Sequence, residues 1–185
     1  LRLVDNVFKS GRLILSKEVE NFEKRFASFT NNKFAIGVNS GTDALQIALM
    51  SIGIKKNDEV ITVSNTAVPT ISAIVSCGAI PIFVDINEND YLMNTSLIEE
   101  KITRKTKAII PVNLYGQSAN YEKINQIAKK NKIQVIEDCA QSAGAMYKNA
   151  PSGSWGNLSA FSFYPTKNLG GYGDGGMVVT KNKEL

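Results

Sequence analysis

The chain has 185 residues, enough for one domain with a sizeable core and too few for two large ones. Apolar residues make up 43% and charged residues 21%, the mixture of a folded globular protein, and no apolar run approaches the roughly 20 residues of a membrane-spanning helix. The net charge is +4 and histidine is absent, which excludes Ser-His-Asp and Cys-His catalysis and most zinc sites. The lysines are scattered among Asp, Glu and Asn, so the positive balance describes a mixed surface with at most a mild preference for anionic substrates such as nucleotide diphosphates. Cys77 and Cys139 stand far apart without a CxxC pattern, giving no disulfide framework and fitting a cytoplasmic setting. Leu1-Arg2-Leu3-Val4-Asp5 shows neither a charged leader nor a cleavage site, so no secretory signal is expected, and the missing initial Met points to a truncated start.

In chain order, Val19, Phe22, Phe26 and Phe29 recur at spacings of three and four, which predicts an amphipathic helix over 17–29 behind a Ser16 cap. A strand over 34–38 runs into the polar turn Asn39-Ser40-Gly41-Thr42, and Leu45, Ala48, Leu49 and Ile52 then mark a helix. The alternation continues with a strand over 59–63, a proline-opened helix over 69–77 and a strand over 80–84. A helical segment over 96–102, a strand over 107–112, an amphipathic helix over 121–130 and a strand over 133–137 follow. After Ala145 the rhythm changes to glycine-rich loops around short strands over 160–163 and 177–180. Repeated strand-helix units predict a mostly parallel sheet covered by helices on both faces, with ligands at the carboxyl ends of its strands.

Three strand ends carry candidate chemistry. The turn Asn39-Ser40-Gly41-Thr42-Asp43 opens a helix, where free N–H groups and the helix dipole favour an anion such as phosphate; an ordinary helix cap reads equally well. Glu137 and Asp138 end a buried-looking strand, and its alternation sends the two carboxylates to opposite sides, so one can face a ligand; a turn cap is the bland alternative for Asp138. Lys167 follows a strand stopped by Pro165 and enters the loop Asn168-Leu169-Gly170-Gly171. Most loop lysines are merely solvated; the functional alternative is an amine that condenses with an aldehyde to a Schiff base. Gly171-Tyr172-Gly173-Asp174-Gly175-Gly176 matches GxGxxG, but a strand follows instead of a helix, so it reads as a loop close to a ligand.

Taken together, the chain resembles the DegT/DnrJ/EryC1/StrS sugar aminotransferases, fold-type-I pyridoxal-phosphate enzymes. The matching stretches are 11–15, Val38 to Leu45, Ala108 to Gln117, Val135 to Gln141 and Phe161 to Gly176, in family order across almost the whole chain. The resemblance implies a three-layer α/β/α large domain over residues 1–185, binding pyridoxal 5'-phosphate, with relatives continuing into a small C-terminal domain. It implies Lys167 as the Schiff-base lysine and proton shuttle, Asp138 facing the pyridine nitrogen, and Gln141 contacting the ring hydroxyl. Gly41, Thr42, Asp43 and Ser162 are the implied phosphate contacts. Implied too are an amino donor, L-glutamate, a nucleotide keto-sugar as acceptor, and a homodimer, with no role for nucleic acid or membrane. The chain departs from the family at Ala67, where many relatives place an aromatic residue, and at Ala143, where many carry His. Rival readings are a dehydratase of the same family, which would use pyridoxamine phosphate and carry histidine in place of Lys167, a relative that keeps the fold without turnover, an inactive fragment, and a generic nucleotide-binding module; Lys167 and the absence of histidine argue against the first, and the last leaves Lys167, Asp138 and Gln141 unexplained as a set.

Overall fold

A computed structural model describes residues 2–185 as a seven-stranded sheet with helices packed on both faces. Its elements are α1 (Arg2–Ser10), α2 (Lys17–Phe29), β1 (Phe34–Val38), α3 (Gly41–Ser51), β2 (Glu59–Val63), α4 (Val68–Ser76), β3 (Ile80–Val84), α5 (Ile98–Lys101), β4 (Thr106–Ile109), α6 (Tyr121–Asn131), β5 (Gln134–Asp138), β6 (Met146–Tyr147), β7 (Ala150–Pro151), β8 (Leu158–Ser162) and β9 (Gly176–Thr180). The strand order is β1-β9-β8-β5-β4-β2-β3, with β6 and β7 forming a separate small hairpin. Neighbours from β8 to β3 are parallel, and β9 alone in that sheet runs against its partners, β1 and β8. The mostly parallel three-layer architecture therefore holds, with one reversed strand where the chain returns from the glycine-rich loop.

Strand alternation divides the core. Val60, Ala108, Ile136, Leu158, Ala160 and Val178 face α3 and α4, meeting Leu45, Ala48, Leu49, Ala73 and Ile74. Ile61, Ile109 and Val135 face the other way, against Tyr121, Ile124 and Ala128 of α6. On that same side, Phe161, Met177 and Val179 pack on Phe26 of α2. Ala143 packs against this aromatic cluster, so at that position the chain has apolar filling.

Several boundaries differ from the periodic reading. The α3 helix begins at Gly41 itself, so the polar turn is its first turn. Strand β5 reaches Asp138, because Asp138 N–H donates to Pro111 C=O and Asn113 N–H donates to Asp138 C=O, holding both backbone groups in the ladder. Strand β4 ends at Ile109, and the helical stretch 96–102 is a 3-10 turn, Thr95–Leu97, running into the four-residue α5. Ser16 sits at the N-cap of α2 without a side-chain cap bond. The helix α1 has no buried residue. Among the described residues, no helix is long and apolar enough to cross a membrane.

Candidate active site

A cleft of ≈ 260 Å³ opens at the carboxyl ends of the parallel strands. Ser40, Gly41 and Thr42 line it from the start of α3; Thr66, Ala67, Pro69 and Thr70 from the start of α4; Asp138, Ala140 and Gln141 from the end of β5. Ser162, Tyr164 and Lys167 enter after β8, and Asp174 and Gly175 before β9.

Two glycines let α3 seat tightly at this edge. A Cβ on Gly41 would lie 2.7 Å from the Ser162 Cβ, and one on Gly176 would collide with the Ser40 carbonyl. Within the first turn, Ser40 Oγ accepts from Asp43 N–H at 3.1 Å and Ser40 C=O accepts from Ala44 N–H at 3.0 Å. The amides of Gly41 and Thr42 have no carbonyl a turn earlier to bond, which leaves them, with the positive end of the helix dipole, at the cleft. Asp43 does not line the cleft; its amide is spent on the cap.

Asp138 is 4% exposed. Its Oδ2 accepts from Thr70 Oγ1 at 2.7 Å and its Oδ1 from Ala140 N–H at 3.1 Å. Burial pushes its carboxyl above the usual carboxylate range, opposed by the Thr70 hydroxyl, the Ala140 amide and the charge of Lys167. Glu137, one residue earlier, faces away. Its Oε1 accepts from the N–H groups of Trp155 at 2.6 Å and Gly156 at 2.7 Å and from Ser159 Oγ at 3.0 Å, and its Oε2 from Gly153 N–H at 2.9 Å. The pair thus splits into a site carboxylate and a carboxylate that shapes the 153–156 loop.

Gln141 Oε1 accepts from Tyr115 N–H at 3.1 Å, so its amide nitrogen is the end left for a ligand. Lys167 is half-buried on a loop fastened at both ends: Phe163 N–H donates to Gly175 C=O at 2.7 Å, Gly171 N–H to Phe163 C=O at 2.8 Å, and Lys167 N–H to Tyr164 C=O at 2.8 Å. Gly170 is required there, since a Cβ would run into the Pro165 carbonyl. Of the residues singled out from sequence, Gly41, Thr42, Asp138, Gln141, Ser162 and Lys167 share the cleft, and Asp43 does not. Sequence reasoning missed Thr66, Thr70, Tyr164 and Asp174. For Thr70 the available signal was a hydroxyl in the first turn of a helix that follows a parallel strand. Ala67 occupies the N-cap of α4 and offers the cleft only a methyl group.

Fold and cleft together define an open α/β domain whose site combines a lysine amine, a buried carboxylate and an open helix N-terminus. The sequence profile of the DegT/DnrJ/EryC1/StrS aminotransferase family matches residues 1–185, and the chain belongs to that family. It is 48% identical over 184 residues to the dTDP-3-amino-3,4,6-trideoxy-alpha-D-glucose transaminase of Micromonospora megalomicea subsp. nigra, covering 100% of this chain and 49% of that protein. Over 185 residues it is 45% identical to a pleiotropic regulatory protein of Geobacillus stearothermophilus, covering 100% of this chain and 50% of that one. Among solved structures, NtdA of Bacillus subtilis with bound cofactor PMP matches with a TM-score of 0.93 at 36% identity, covering 98% of this chain and 41% of that chain. The chain spans about half the length of the curated relatives it matches.

Proposed function

We propose that this protein is a pyridoxal 5'-phosphate-dependent aminotransferase that moves an amino group from L-glutamate onto a keto carbon of a nucleotide-linked sugar. The observation that carries this reading is the meeting, in one cleft, of Lys167, Asp138 and the open N-terminus of α3, from three separate strand ends. The residues fit the cofactor. Free amides at Gly41 and Thr42 suit its phosphate, with Thr42 and Ser162 adding hydroxyls and Asp43 holding the turn through Ser40. Asp138, buried and in need of a cationic partner, suits the protonated ring nitrogen, and the Gln141 amide suits the ring hydroxyl. When bound, the cofactor supplies an electron sink for the charge left as a substrate C–H bond breaks. Lys167 would hold the cofactor through its aldehyde and, as a free amine, would move a proton at the substrate carbon.

The sugar substrate rests on the relative named as a dTDP-sugar transaminase. A homodimer fits the exposed apolar side chains of Leu3, Phe8, Ile14 and Leu15, and a reducing cytoplasm fits two free cysteines. Likeness to a protein named as regulatory favours a second reading, a binding protein without turnover. The presence of Lys167, Asp138 and Gln141 around one cleft argues for turnover instead.

The test uses the full-length protein with added pyridoxal 5'-phosphate. The native protein is expected to show a visible absorption band that borohydride removes, and Lys167→Ala to lack it; a native protein with no such band rejects the cofactor role. Glutamate-dependent amination of a panel of 3-keto and 4-keto nucleotide sugars then separates turnover from binding alone.

A further inference from the structure

We infer that Thr66 and Thr70 form a hydroxyl chain that holds Asp138 in register for a ligand's N–H group, making Thr70 a positioning residue of the site. The inference rests on the aminotransferase reading for the ligand's identity, while the hydroxyl chain itself rests on geometry alone. Thr70 Oγ1 lies 2.7 Å from Asp138 Oδ2 and 2.7 Å from Thr66 Oγ1. An ionised carboxylate only accepts, so Thr70 gives its single proton to Asp138 and takes one from Thr66.

This arrangement is not what a helical threonine does by default. Such a hydroxyl ordinarily bonds back to the carbonyl four residues earlier. Here residue i−4 is Thr66, and Thr70 meets its hydroxyl, not its carbonyl. The bond instead reaches across the floor of the cleft to a side chain 68 positions away. At 1% exposure, Thr70 is sealed from water, which could otherwise replace it as donor. Ala67, at the helix N-cap, has no side-chain oxygen to compete for either hydroxyl, and its carbonyl accepts from Thr70 N–H at 3.2 Å. Pro69 stands in the first turn of this helix, where its missing N–H costs no intrahelical bond.

Asp138 is therefore held at both oxygens, by Thr70 at Oδ2 and Ala140 N–H at Oδ1, which restricts where its remaining lone pairs point. Titratable groups lie on several sides of it, with Asp174 and Tyr164 lining the same cleft. Lys167 favours its charged form, Glu137 faces the opposite side of the strand, and Cys139 and Tyr121 are themselves pushed up by burial and so stay neutral. Removing the Thr70 hydroxyl takes away one of three groups that favour the carboxylate.

The experiment compares native protein, Thr70→Val, Thr70→Ser and Thr66→Val, all full-length. Carbon NMR of labelled aspartate, with Asp138→Asn to assign the signal, follows the carboxyl titration in ligand-free protein. Equilibrium dialysis measures the affinity for pyridoxal 5'-phosphate. Thr70→Val is expected to move the Asp138 titration upward and to weaken cofactor binding roughly 10- to 100-fold. Thr70→Ser is expected to restore both, and Thr66→Val to show a smaller shift in the same direction. An unchanged Asp138 titration and unchanged cofactor affinity in Thr70→Val overturn the inference; should that variant fail to fold, an unchanged titration in Thr66→Val does so. If native protein binds no cofactor, the aminotransferase reading fails, and the NMR arm still decides the hydroxyl chain.

Discussion

A single methyl group on Gly176 would collide with the Ser40 carbonyl, and one on Gly41 would press on Ser162. Both glycines exist for close approach, and the approach is what seats the α3 N-terminus against the end of β8. Gly176→Ala should lower stability by about 1–3 kcal/mol through overpacking, read as a drop in Tm. Gly41→Ala should weaken binding of inorganic phosphate or pyridoxal 5'-phosphate more than it lowers Tm, because Ser162 can shift only by opening the cradle. The two adjacent carboxylates separate in the same manner. Glu137→Gln replaces one acceptor facing backbone N–H groups with a donor and should destabilise the protein by roughly 2–4 kcal/mol, measured by urea denaturation. A loss of cofactor affinity with unchanged stability in that variant would contradict its loop-shaping role. That the pair would face opposite ways was legible from strand alternation. Which partners each would find was not, because the Glu137 donors lie 16 to 22 residues further on and Thr70 lies 68 residues before Asp138.

Helix α2 ties one such element to the site. Phe26 meets Phe161 edge-on at 4.9 Å and Phe163 at 5.3 Å between ring centroids, and Phe163 carries two of the three backbone bonds that fasten the lysine loop. Phe26→Ala should cost about 3–5 kcal/mol and Phe26→Leu clearly less. The Ala variant should also be cut faster by protease within 164–175, since the anchor of that loop loosens; equal cutting rates would separate α2 from the loop. The spacing of Val19, Phe22, Phe26 and Phe29 made this helix readable because its period matches one buried face. Helix α1 went unread although Leu3, Val4, Val7 and Phe8 recur at helical spacing, and the two-residue strands β6 and β7 are too short to show any period. The reversal of β9 was equally hidden. Alternation marks a strand's faces but carries no direction, and the long loop after β8 allows either.

Across the whole molecule, the cleft sets function against stability. Burial of Asp138 raises its carboxyl in the folded protein, so between the ordinary carboxyl value of 3.8 and the raised folded value the native state binds more protons than the unfolded chain. Stability contributed at this residue therefore falls as pH rises through that window and stays lower above it. Asp138→Asn removes the buried charge, and Thr70 can rotate its hydroxyl to accept from the new amide. Without ligand at neutral pH, the variant should melt at a higher temperature than the native protein, with the difference shrinking as pH falls toward 3.8 and below. Saturating pyridoxal 5'-phosphate should reverse the order, because ligand at a hundredfold excess over Kd adds about 2.7 kcal/mol to the protein that binds it. Melting curves of both proteins, with and without ligand across pH, measure the two effects together. A ligand-free Asp138→Asn protein that melts below native at neutral pH would show that the carboxylate's hydrogen bonds outweigh its desolvation.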